Sequence, residues 1–163
     1  MTPGMQAVLR ELHAGEVDLE QELHVVADRH RTDHEVRHVA VDLARWSLQN
    51  RQVLEPVLAR FGAEADTDTH AGLSVVQPMR EKTAELLGRR EEPGLLLLRD
   101  LRHLHLMAEA NSVLWTMLGQ AAQGSQDSEL LGIVAECHGR TVRQAVWANA
   151  MIKTLAPQIL SAV

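Results

Sequence analysis

An all-α four-helix bundle is the fold class this sequence predicts, and three observations predict it. Four long segments carry apolar residues at helical spacing, and short clusters of capping and turn residues separate them. With no Tyr, one Phe and three Trp among 163 residues, the core must be aliphatic Leu, Val and Ala, as bundles tend to be. The connections run short, long, short. That order predicts two antiparallel helical hairpins joined by a long crossover, in a single domain over residues 1–163 with no internal repeat.

The first helix is expected over about residues 5–28, where Met5, Val8, Leu9, Leu12, Leu19, Leu23 and Val26 make one stripe. Gly15 and Glu16 interrupt it, and Glu16 falls near the centre of the stripe, so a carboxyl is sent inward. Residues 29–33 break the pattern, and Thr32 or Asp33 can cap the next helix with Glu35 in its first turn. The second helix, about 34–61, turns Val36, Ala40, Leu43, Trp46, Leu54 and Val57 to the core together with Asn50. Pro56 lacks a backbone donor and predicts a kink about one turn earlier.

Residues 62–94 lose the periodicity. Pro78 is placed to start a short helix over about 79–89, and the whole crossover is long enough to traverse the bundle. The third helix, about 95–123, shows a heptad seam of Leu97, Leu101, Leu104, Ala108, Asn111, Trp115, Leu118 and Ala122. A second stripe, with Leu96, His103, Met107, Leu114 and Met117, lies about 100° round from it. A surface helix needs one buried stripe, so the second either widens the contact within the bundle or faces another subunit, a homodimer being the simplest case. Residues 124–128 form a turn, and the fourth helix runs over about 128–156 until Pro157 stops or kinks it. Its inward face holds Leu131, Val134, Thr141, Val142 and Ala145, and His138 lies on that face.

Counting residues from each expected turn brings Glu16, Asn50, Asn111 and His138 to one level near mid-height. A buried carboxyl must find a partner, either His138 or an arginine reaching in, and a buried His138 is satisfied by Asn111 or Glu16. The alternative is that this core layer holds a ligand.

With these residues in place, the chain resembles the ferritin-like superfamily, whose helices supply Glu and Glu-x-x-His to a di-iron site. The resemblance implies a metal centre at mid-bundle, with Glu16 in the place of the first-helix Glu and His138 in that of the fourth-helix His. Asn50 and Asn111 stand where further ligands belong, and Ala135 replaces the Glu three residues before His138. The centre implied is therefore degenerate or lost, since two neutral amides are poor ligands for iron. The literal Glu35-Val36-Arg37-His38 lies near a turn, with His38 about 130° from the apolar centre, and does not serve as that motif.

His30, His34 and His38 recur every four residues and form a surface candidate for a divalent ion, against the plainer reading of a solvated face. Cys137 is the only cysteine, which excludes an intrachain disulfide, fits a reducing compartment, and reads as packing rather than a nucleophile. A net charge of -6 and the scarcity of aromatics argue against nucleic acid and anionic membranes. No apolar run approaches the ~20 residues of a membrane span, and a cytoplasmic location is expected. No phosphate-binding, dinucleotide or hydrolase motif is present. The reading is of a non-catalytic, homo-oligomeric interaction or scaffold protein with no cofactor expected, open also to an unknown protein partner. The alternative is a metal-binding protein using Glu16 and His138 for iron, manganese or zinc.

Overall fold

The structure is a computed structural model that describes residues 2–65 and 92–162. These form four helices: α1 (Pro3–Arg29), α2 (His34–Arg60), α3 (Pro93–Gly124) and α4 (Ser128–Ala162). No strand occurs among the described residues. The short helix expected at 79–89 lies outside them.

The helix starts follow from local chemistry. Pro3 and Pro93 open α1 and α3, where a missing amide hydrogen costs nothing. Asp33 caps α2 by accepting from Val36 N at 3.0 Å, and Glu92 caps α3 by accepting from Leu95 N at 3.0 Å. Asp127 does the same for α4 through Leu130 N at 3.0 Å. At the other end α4 passes through Pro157 to Ala162, six residues beyond the expected stop. Pro157 removes a single backbone bond, and Ile159 beyond it packs against Gly94 at the start of α3, which holds the last turns on the bundle.

Each helix packs on two neighbours: α1 on α2 and α3, and α4 on α2 and α3. Ion pairs fix the directions. Arg29 at the end of α1 and His30 just after it meet Asp100 near the start of α3, whereas Arg60 at the end of α2 meets Asp127 and Glu129 around the start of α4. The end of α2 and the start of α3 therefore sit at opposite ends of the bundle, and all neighbouring helices are antiparallel.

The apolar core comes in two parts. The first gathers Leu19, Leu23, Val36, Leu43, Leu101 and Ala148 toward the α1–α2 turn. The second gathers Leu9, Leu12, Leu54, Trp115, Leu118 and Leu130 toward the α3–α4 turn. Each fully buried Leu is worth about 1.5–3 kcal/mol of transfer free energy, so the aliphatic halves drive the assembly. What divides them is polar.

Candidate functional site: a polar layer across the core

Between the two apolar halves, every helix contributes a buried polar side chain. Glu16 comes from α1, Ser47 and Asn50 from α2, Asn111 from α3, and Thr141 and Gln144 from α4, none more than 3% exposed. Glu16, Asn50, Asn111 and Thr141 each occupy an inward position between apolar residues one turn away on either side, and Ser47 and Gln144 lie one turn from Asn50 and Thr141 on the same faces.

Glu16 is the hub. Its Oε1 accepts from Trp115 Nε1 at 3.0 Å, Asn50 Nδ2 at 3.2 Å and Thr141 Oγ1 at 3.3 Å, so α1 is tied to all three other helices through one atom. Its Oε2 is buried and accepts no hydrogen bond of good geometry among the described residues. Burial raises the carboxyl above its ordinary pKa, and the donors Trp115, Asn50, Ser47 and Thr141 only partly oppose this. The carboxyl thus combines the geometry of an anchor with a pKa that burial raises.

Asn50 extends the network outward. Its Oδ1 accepts from Arg140 Nη1 at 3.2 Å, and Arg140 also pairs with Glu136 at the surface. Gln144 closes the other flank by donating to Leu43 O at 2.9 Å and to Ser47 Oγ at 2.8 Å. Asn111 lies against Gly15: a Cβ at that glycine would run into Asn111 Oδ1. Any side chain at position 15 would oblige the buried amide to shift, and the glycine leaves it in place.

The sequence expectation and the structure differ at His138. Glu16, Asn50 and Asn111 do meet in the core, but His138 is half-buried and pairs through Nε2 with Ser112 Oγ at 2.8 Å on α3. The inward positions on that turn belong to Cys137 and Thr141, both fully buried. His138 is rotated toward the α3–α4 seam, so the fourth-helix member of the layer is Thr141. Glu16 and His138, expected together as metal ligands, share no hydrogen-bond partner. Among the described residues no group of three or more His, Cys, Asp or Glu side chains is arranged to hold a metal ion.

Ser47, Gln144, the Trp115 indole and, nearer the α1–α2 turn, Asp100 lie outside the sequence expectation. Trp115 stands on the expected seam, and the signal was its indole N–H: a buried Trp needs an acceptor, and Glu16 was the available one. Asp100 is fully buried and binds His30 Nε2 at 2.7 Å and Arg29 Nη1 at 2.8 Å to each oxygen. Burial alone would push its pKa up, but the hydrogen bonds from His30 and Arg29 and the charge of Arg29 override that and hold it below the usual carboxylate range. Its spacing from Leu97 and Leu104 was the available signal.

The pairing draws His30 inward, to 8% exposure, and away from His34 and His38, which remain exposed. The expected histidine trio is therefore a pair. Cys137 is buried, and burial pushes its thiol up to about 11, as suits a packing residue.

The stripe expected as a subunit contact is partly absorbed by the fold. Leu96, His103, Met107 and Leu114 are half-buried, with Met107 and Leu114 against the two core halves, while Met117 is exposed. The apolar residues that face outward on α3 are Leu106, Val113 and Met117, each more than half exposed. On α4 they are Val142, Val146 and, near its end, Leu160. No described helix is long and apolar enough to cross a membrane. In comparison with known proteins, the chain matches no protein family, no curated protein and no solved structure.

Proposed function

We propose that the chain is a non-catalytic bundle of ferritin-like topology that works as an interaction or scaffold protein by pairing with a second copy through the outer face of the α3–α4 hairpin. The observation that carries this reading is the exposed apolar stripe of Leu106, Val113 and Met117 on α3 together with Val142 and Val146 on α4, the helix packed against it. The three α3 residues fall within about 40° of one another on the helix, opposite the buried seam. Val142 and Val146 are one turn apart on the helix packed against α3. A self-complementary apolar stripe is what a two-fold interface requires, since each copy presents the same surface to the other.

The core layer supports the non-catalytic half of the reading. Three donors from three helices are spent on Glu16 Oε1, and the Ser47 hydroxyl is engaged by Gln144. These groups hold helices together where a ferritin-like protein would hold metal. Sedimentation equilibrium of the whole chain tests the proposal: reversible self-association is expected, and a monomer at all concentrations up to several hundred micromolar would contradict it.

A further inference from the structure

The withdrawal of His30 into the core isolates two imidazoles on the surface. His34 and His38 stand on successive turns at the start of α2, with ring centroids 6.4 Å apart and planes 13° from parallel. Both are exposed, and neither is hydrogen-bonded or ion-paired among the described residues. Two of the acidic neighbours are engaged elsewhere. Asp33 caps Val36, and Asp42 pairs with Arg45 at 3.1 Å.

We propose that His34 and His38 form a two-imidazole site for a divalent transition-metal ion of the Ni2+, Cu2+ or Zn2+ class. The helix places residues four apart on one face at a separation of about 5–6 Å between Cβ atoms, which lets two rings converge on one ion by side-chain rotation alone. Neutral imidazole suits these borderline cations, whereas Mg2+ and Ca2+ seek several oxygen ligands. No third His, Cys, Asp or Glu among the described residues joins the pair. The bound ion therefore keeps open coordination positions, filled by water or by a donor from another molecule. The site is distinct from the α3–α4 face and does not depend on the proposed pairing.

The spacing exists only while α2 is helical, so the ion stabilises the folded chain. The test is calorimetric titration of untagged protein with Ni2+ at neutral pH, for wild type, His34→Ala, His38→Ala and His24→Ala. His24 is an exposed histidine on α1 and serves as the control. One tight Ni2+ per chain is expected. Each of His34→Ala and His38→Ala then weakens it on the order of tenfold or more, because the second imidazole binds at high effective concentration. His24→Ala leaves it unchanged. Ni2+ also raises the thermal midpoint of wild type and of His24→Ala but not of the other two variants. A loss of about twofold or less in each single variant, as two independent imidazoles give, overturns the proposal. So does an equal rise in midpoint across all four proteins.

Discussion

The indole N–H of Trp115 on α3 donates to Glu16 Oε1 on α1 at 3.0 Å, with both side chains fully buried. This bond crosses between the helical hairpins at the level where the apolar core is interrupted. It makes Glu16 the point at which each of the other helices is attached to α1, and it gives the layer a measurable dependence on pH.

Burial raises the Glu16 pKa above its unfolded value, so its contribution to stability is full below the ordinary carboxylate range and is lost as pH rises through the folded value. Glu16→Gln keeps an acceptor for Trp115, Asn50 and Thr141 but cannot ionise. The variant is expected to match wild type near pH 4.5, the ordinary value for the group, and to gain on it steadily toward alkaline pH. By pH 9 the gain is about 1–3 kcal/mol, the usual cost of a buried polar group without a partner. Urea unfolding across that range reads it directly, and parallel profiles for the two proteins would refute the raised value.

Gly15→Ala improves intrinsic helix propensity by about 1 kcal/mol, yet the new methyl meets Asn111 Oδ1. The clash is expected to win and destabilise the fold by about 1–3 kcal/mol. In an Asn111→Ala background the obstacle is gone, and the same substitution becomes neutral or stabilising. A double-mutant cycle on unfolding free energies decides this; additive effects would mean that the two residues do not meet.

Asp100 runs the other way in pH. Its pKa is held below the unfolded value, so its contribution is present above the ordinary carboxylate range and lost as pH falls through the folded value. Asp100→Asn should cost about 1.5–3 kcal/mol at neutral pH, the scale of a hydrogen bond to a charged group. The figure belongs at the lower end because the Arg29 side chain is 34% exposed. The acid limb of the stability profile flattens in the variant, and an unchanged limb would show that the bridge contributes nothing.

Much of this architecture was legible in the sequence because helical periodicity and caps are local. The four helices begin within about two residues of their expected starts, and Asp33, Glu16, Asn50 and Asn111 do what their positions imply. The site was less legible because it depends on rotation about each helix axis. His138 and Thr141 both lie within the broad inward face of α4, and only the packing of α3 decides that Thr141 enters the core while His138 meets Ser112. The same sensitivity shifts the exposed stripe of α3 from Met107 and Leu114 to Leu106 and Val113. His30 shows a different limit. Its four-residue spacing joins it to His34 and His38, but α1 ends at Arg29, and Asp100, some 70 residues away in sequence, claims its ring.

The proposal that the α3–α4 face pairs two copies is tested most directly by sedimentation equilibrium of wild type beside a Val113→Lys, Val146→Lys double variant. Both valines are more than half exposed, so the bundle itself should fold unchanged, as far-ultraviolet circular dichroism will report. A wild-type dimer that the double variant converts to monomer is the predicted result. A wild-type monomer, or a dimer that the two lysines leave intact, would contradict it.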